Sequence, residues 1–479
     1  MTASGARNSH IGWLPYIVAA TFFMEYLDTT VIATALPQMA HSFGVGPNSL
    51  SLGMTAYMLA LAIFIPVSGW VADRCGSRTV FFSAIGVFTV ASVLCGLSQN
   101  VAEFTAARLL QGIGGAMMVP VGRLIVVRST EKSRMMQAIS TITWPAIAAP
   151  VVGPPVGGFI TTYASWRWIF LLNVPFGIAV MAVALALVPN LRGTERKPLD
   201  VVGLLLSGTT LTAILYGAEL ASQPGENPWV AGAVVLFGLL TGIVAFQHAR
   251  RHPHPLIDVS TLKIPTFSVT VVTGSFTRIG IGAVPYLMPL LFQVGFGLSA
   301  FKSGLLLLAS ALGNLGMKAL TTRILQRYGF RMVSIVDVTV AGLFIVACGL
   351  LTPNVPLALV LIVVFVYGVA RSMQFSTLAT LAYADVAQPQ MSAASTLWSA
   401  AAQMTIGLGI AFGAVSLRAA AFFNGETTGR VFTLDDFRLA FLFAGVLTLV
   451  SVIGYWGLPH NAGQSIGGGS RGNEDPAKS

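Results

Sequence analysis

Fourteen mainly apolar stretches follow one another along the chain, from Trp13–Pro37 to Phe437–Leu458. Each approaches or exceeds the roughly 20 residues that a helix needs to cross a bilayer. Hydrocarbon offers no partner for a backbone N–H or C=O, so a spanning segment must satisfy these groups within itself, as an α-helix does. Composition leaves little else open. Charged residues make up 9% of the 479 and apolar residues 55%, against about 25% charged in a soluble domain. The chain is therefore predicted to be an all-α polytopic membrane protein with about 14 transmembrane helices. Its first stretch runs to about 25 residues and lacks a small-residue cleavage site, so it reads as a span rather than a removable leader.

A net charge of +10 invites a polyanionic partner, but the positions of the charges argue otherwise. With the N-terminus placed in the cytoplasm, eighteen of the 27 Lys and Arg fall on cytoplasmic segments, five on outer ones and four within spans. That is the positive-inside asymmetry, with both termini cytoplasmic, and it makes the basic balance a matter of topology rather than of nucleic-acid binding. Cys75, Cys95 and Cys348 lie far apart and show no metal-ligand spacing. No phosphate-binding lysine loop, zinc-protease helix or deaminase pattern occurs, which disfavours ATP-driven transport and the common enzyme chemistries; no metal site and no enzymatic activity are expected.

An internal echo divides the chain. Asp73-Arg74-Cys75-Gly76-Ser77-Arg78 follows the second span and Gln326-Arg327-Tyr328-Gly329-Phe330-Arg331 follows the tenth, a shift of 253 residues. The same shift maps the start of span 1 onto the start of span 9. Two six-helix bundles are predicted, spans 1–6 and 9–14, with two helices inserted between them. The expected divisions are a cytoplasmic N-terminus (1–12), an N-terminal bundle (13–190), two inserted linker helices (191–262), a C-terminal bundle (263–459) and a disordered cytoplasmic tail (460–479). Parallel repeats of this kind place a transport site near the midplane between them.

The ionisable residues inside spans carry the functional reading. A carboxylate at the centre of a bilayer costs roughly 2.5–3.5 kcal/mol even on lenient scales, and such residues default to a functional role. Glu25 and Asp28 sit one helical turn apart in span 1. At 1.5 Å per residue, Asp28 lies about 13 Å below the outer end of its span, and Arg108 about 8 Å below the outer start of span 4, so the two can pair. Arg108 is then either a structural ion-pair partner or part of a proton relay. Glu25 lies about 18 Å from either end of its span, and the 253-residue shift maps it onto Arg278; an opposite-charge pair across the central path is expected. Gln111, Arg278, Arg371 and Met117 are candidates for lining a substrate cavity, whereas Lys318 lies near a helix end and can snorkel.

Several motifs resemble those of one family. Gly69-Trp70-Val71-Ala72-Asp73-Arg74-Cys75-Gly76-Ser77-Arg78 resembles the loop signature of the major facilitator superfamily, departing at Ser77, where that family usually has a basic residue. In it Gly69 would allow close helix approach, Gly76 a tight turn, and Asp73 an ion pair with an arginine; Arg74 and Arg78 complete the conformational loop. Leu27-Asp28-Thr29-Thr30 through Leu36-Pro37 looks like the first-helix signature of its fourteen-helix drug:proton antiporters. Arg108-Leu109-Leu110-Gln111-Gly112 resembles its buried-arginine motif, and Gly153-Pro154-Pro155-Val156-Gly157-Gly158 its antiporter motif, with Ala149 where an earlier glycine is usual. The stretch from Trp166 through Asn173 to Gly177 is typical of the same group, nearest within it to multidrug transporters. The resemblance implies the major facilitator fold in the bacterial inner membrane. It further implies efflux of drug-like or amphipathic compounds against protons, with Asp28 and Arg108 as proton-coupling residues; Glu25 joins them as a proton-coupling candidate on its position within span 1. No cofactor beyond the proton gradient is implied. The expected partners are a small-molecule substrate, protons and the lipid bilayer, with any periplasmic adaptor unidentified. Two other readings stay open: a transporter of one metabolite, such as an organic anion or polyamine, and a non-transporting membrane sensor.

Overall fold

The computed structural model describes residues 13–130, 134–192, 198–223, 227–387, 390–425, 431–459 and 462. The expected N-terminal segment 1–12 and, apart from residue 462, the tail 460–479 lie outside the described residues. The described chain is all-helical, and no strand occurs among the described residues. Its long helices are α1 (Leu14–Phe43), α2 (Ser51–Cys75), α3 (Ser77–Leu97), α4 (Val101–Ser129), α5 (Met135–Tyr163), α6 (Trp168–Leu187), α7 (Val201–Ser222), α8 (Pro228–Arg251), α9 (Pro265–Gly295), α10 (Ala300–Tyr328), α11 (Phe330–Gly349), α12 (Leu357–Ala384), α13 (Met391–Phe423) and α14 (Leu434–Trp456). Thirteen of them are long and apolar enough to cross a membrane. The remaining one, the 29-residue α5, coincides with the fifth apolar stretch of the sequence.

Local chemistry sets many of the helix ends. Asn100 caps α4 by accepting from Glu103 N at 2.9 Å, and Thr433 with Asp436 forms a capping box at the start of α14. The echoed turns after α2 and α10 both pivot on a glycine at positive φ, Gly76 at 95° and Gly329 at 74°, a conformation that a Cβ would strain. These turns mark one end of the molecule, called here the basic end; the opposite one is the far end.

Hydrophobic packing differs between the two ends. At the basic end each half has a core of its own: Val18, Phe81, Ile125 and neighbours in the first, Leu325, Val333, Leu381 and Tyr455 in the second. At the far end one continuous cluster spans both halves, from Leu36, Phe104 and Trp166 to Tyr286, Phe292 and Phe441. Among the described residues, the hydrogen bonds joining the halves also lie at the far end: Tyr286 and Ala414 with Asn48, Gln293 with Thr34, and Phe301 with Thr162. The halves are thus closed against each other on one side.

Helices α7 and α8 form an antiparallel pair that packs tightly through Gly217 and Gly238. Only Ala231 and Gly238 of α8 are buried, while Trp229, Phe237, Leu240 and Ile243 are exposed. An apolar face of this size in a chain with so many spans is suited to lipid. The pair leans on the rest of the molecule through α7, which touches α2 and α13.

Candidate functional site

Asp28 lies on the buried side of α1, and donors from two other helices converge on it. Arg108 Nη1 donates to Oδ2 at 2.6 Å, while Gln111 Nε2 and Asn173 Nδ2 donate to Oδ1 at 2.9 and 2.8 Å. Arg108 and Gln111 stand three residues apart on α4, one turn, so both face α1. A second layer fixes their rotamers. Gln111 accepts from Arg108 at 2.6 Å and donates to Ser92 Oγ on α3 at 2.9 Å, and the Tyr57 ring on α2 lies 4.2 Å from the Arg108 guanidinium carbon. Asp28 and Arg108 are each 1% exposed, so the pair is sealed from solvent in this state. A buried pair holds only when extra hydrogen bonds satisfy its remaining polar atoms. Here Asp28 is supplied by three donors, while Arg108 donates twice through Nη1 and its Nε is buried without a partner.

Gln111, expected to line a cavity, instead holds Asp28 and is fully buried. Glu25 stands one turn before Asp28 and lies over Gly115 of α4, with Oε2 buried and unpartnered. Its expected counterpart Arg278, on α9, does not reach it. Arg278 donates through Nε to Thr405 on α13 at 3.1 Å, sits 4.5 Å from the Trp398 ring, and has both Nη atoms buried without a partner. The expected Glu25–Arg278 pair is therefore absent from this state, because each side chain turns into its own half. Arg371 is half-buried against Phe375, Met117 packs partly buried in the first core, and Lys318 is exposed on α10.

The loop motif works through different contacts than its glycine suggested. Asp73 accepts from Arg128 on α4 at 2.9 Å, and Arg74 lies over Trp70. Gly69, by contrast, is exposed and a Cβ there would meet nothing within 4 Å, so it mediates no close approach in this state. Arg78 is half-buried. Ser77 ties the turn to the chain leaving α6: its N–H donates to Leu191 O at 2.8 Å and its Oγ accepts from Leu191 N at 3.1 Å. In α5, Gly153 lies against Thr30 and Gly157 against the Val31 carbonyl, where a Cβ would come within 2.6 Å. Gly158 instead meets the backbone of Ala300 at the start of α10, and Pro154 lies against Gly304. The motif thus packs α5 on α1 within the first half and on α10 of the second.

Sequence reasoning passed over Ser92, Asp337 and Glu219, and it quoted Asn173 without a role. Asn173 lies in a stretch singled out for its resemblance, which was the available signal; Ser92 offered none. Asp337, on α11, has a buried Oδ2 without a partner. At the basic end, Asp200 caps α7 and accepts from Gly203 N, His248 and Leu256 N at 2.8, 2.8 and 3.1 Å. Burial alone would push its carboxyl up, but these hydrogen bonds outweigh burial and hold it below the ordinary carboxylate range. His252 lies close by, the three side chains having ligand-type atoms within 4.8 Å of one another. With Asp200 already serving three donors, the cluster acts as a clamp between α7, α8 and the linker that follows.

Residues 18–414 match the sequence pattern of the Major Facilitator Superfamily. A relative from Citrobacter koseri, "Putative multidrug resistance protein MdtD", is 36% identical over 402 residues, covering 83% of this chain and 84% of its own. The protein of the same name from Cronobacter sakazakii is 37% identical over 414 residues, 86% and 87% of the two chains. Among solved structures, a D-xylose–proton symporter superposes with a TM-score of 0.66 at 15% identity, over 95% of this chain and 99% of that one. A bacterial homologue of the lysosomal transporter Spinster, in an inward-facing and occupied conformation, gives 0.67 at 14%, over 93% and 96%. At such identities the structural likeness speaks for the fold alone.

Proposed function

The chain belongs to the major facilitator superfamily, and from that premise we propose that it is a proton-coupled exporter of drug-like, amphipathic compounds in the bacterial inner membrane. The relatives' multidrug name supports the substrate class. Both termini and the basic end face the cytoplasm, as the distribution of Lys and Arg favours. The far end, where the halves share one core, is then closed towards the outside.

The observation that carries the proton reading is Asp28 as the common acceptor for Arg108, Gln111 and Asn173. An ionised carboxylate accepts from all three; a protonated one gives up its charge and one acceptor position. Proton arrival therefore loosens Arg108 from α1 and frees α4 and α6 to shift relative to it, while proton release draws them back. Alternating access couples to this change when substrate leaves from the outward-open state and the proton enters there. Gly153, Gly157 and Gly158 keep α5 close to both α1 and α10, the surface across which the halves rock.

The test is a substrate panel in proteoliposomes under an imposed pH gradient, with lipophilic cations, polyamines and citrate-like anions, for the parent and for Asp28→Asn. Gradient-driven flux of a lipophilic cation that vanishes in Asp28→Asn supports the proposal; full flux in that variant ends it. One observation favours a second reading, export of an organic anion: Arg278 presents two buried, unpartnered Nη atoms in the second half, and guanidinium forks suit carboxylates. Flux confined to the anionic members of the panel would select it.

A further inference from the structure

The inserted pair brings a buried acid of its own to the far end. Glu219 on α7 is 2% exposed. Its Oε1 accepts from Gln223 Nε2 at 2.7 Å, and its Oε2 lies 2.8 Å from Ser51 Oγ at the start of α2. Gln223 in turn accepts from Ser49 through Oε1, which fixes its amide with the nitrogen towards Glu219. Next to them stands Asn48, whose Nδ2 donates to Ser222 O of α7 and Ala414 O of α13, and whose Oδ1 accepts from Tyr286 of α9 at 2.6 Å. Six hydrogen-bonding side chains, those of Asn48, Ser49, Ser51, Glu219, Gln223 and Tyr286, thereby join the first half, the second half and the inserted pair at the closed end of the molecule.

The serine geometry favours a protonated Glu219. Ser51 Oγ is 2.7 Å from the carbonyl of Asn48, which can only accept, as well as 2.8 Å from Glu219. A hydroxyl has one hydrogen to give. Both contacts are full two-centre hydrogen bonds when the second hydrogen comes from the carboxyl, so that Glu219 donates to Ser51 and Ser51 donates to Asn48. The surroundings agree. The titratable side chain set against Glu219 is Tyr286, whose hydroxyl is already given to Asn48. Among the described residues no Lys, Arg or His pairs with Glu219, and the cavity beside α7 is lined by apolar side chains of α8 and α13: Val235, Leu408, Phe412 and Val415. An ionised carboxylate there would be a buried charge without a cation.

We infer that Glu219 is a second proton-binding site of the transport cycle, built into the outer gate by the inserted helices, whose neutral form latches that gate shut. Ionisation of Glu219 breaks the relay to Asn48 and favours admission of water between α2, α7 and α13, which opens the far end. A proton taken from the outside restores the relay and closes it, the step that an exporter needs after releasing its substrate. This assignment rests on the orientation proposed above, but it needs neither the identity of the substrate nor Asp28.

Spin labels at Gln99→Cys and Asn354→Cys, exposed positions at the far ends of the two halves, report the gate in full-length protein in nanodiscs, with Cys75→Ser to remove the exposed native thiol. Raising the pH from about 5 to about 8, across the range where buried carboxyls titrate, should shift the distance distribution towards longer separations in the parent. Glu219→Gln, whose amide donates to Ser51 as the neutral acid does, should hold the short distance throughout. Ser51→Ala should deplete the short population at acid pH. Asp28→Asn should still show the parent's pH response even though its proton-driven flux is lost, so failure of the Asp28 mechanism and failure of the latch give different results. A pH response that persists in Glu219→Gln overturns the inference, as does a response that disappears only in Asp28→Asn.

Discussion

The two halves each bury an arginine within a membrane-spanning helix, and they treat it in opposite ways. In the first half Arg108 is matched by Asp28 and framed by Gln111, Asn173 and Ser92 from three helices. In the second half, among the described residues, Arg278 has one hydrogen bond, to Thr405, and an aromatic ring, with no acid in contact. An internal repeat that preserves helix order has therefore not preserved electrostatics. A charge paired within its own half can gain and lose a proton without leaving an uncompensated partner in the other half. A charge left bare is available to something that arrives from outside the fold.

The widest gap between the halves should appear in coupled transport. Asp28→Asn should reduce gradient-driven flux to the passive leak, while Arg278→Gln should leave flux responsive to the pH gradient for at least some substrates; equal loss in both variants would erase the contrast. The next effect is on stability. Arg108→Met leaves Asp28 buried without its cation, which costs about 3–5 kcal/mol. Arg278→Met leaves no charge stranded in contact with it and removes an incompletely satisfied one, so it should be neutral or stabilising. Thermal unfolding in detergent compares the two, and a matching drop in both would mean that Arg278 has a counter-charge in solution. A smaller change is expected for Asn173→Ala, which removes one hydrogen bond to an ionised acceptor worth about 1.5–3 kcal/mol; an unchanged melting temperature would show that Asn173 does not hold Asp28. Smallest of all is the coupling between Glu25 and Arg278. In this state their substitutions should add to within about 0.5 kcal/mol in stability. A larger deviation would show that the two acidic and basic positions related by the repeat meet after all.

The pairing of Asp28 with Arg108 was legible in the sequence. Two acids and one arginine inside apolar stretches stand out against a membrane background, and helical rise alone placed Asp28 and Arg108 at similar depth. Gln111 was picked out for the wrong surface, because depth says nothing of which way a helix is rotated about its own axis. Gly69 shows the same limit: its motif suggested a helix contact that this state does not make, whereas Gly157 and Gly158 meet α1 and α10 closely. Glu219 escaped notice because it lies near a helix end, where an acid is unremarkable unless another element covers it.

The order and number of the helices, the preference of the basic turns for one side and the presence of unusual charges were set by the sequence itself. Each depends on hydropathy and charge over a window no longer than one span. Which charge meets which partner was decided only by tertiary structure. That outcome depends on the rotation and crossing of helices far apart in the chain: Asn173 reaching Asp28 across 145 residues, Tyr286 reaching Asn48 across 238, and the inserted α7 setting Glu219 against Ser51 across 168. A hydrogen bond forms or fails within a few tenths of an ångström, a precision that no linear pattern of residues carries.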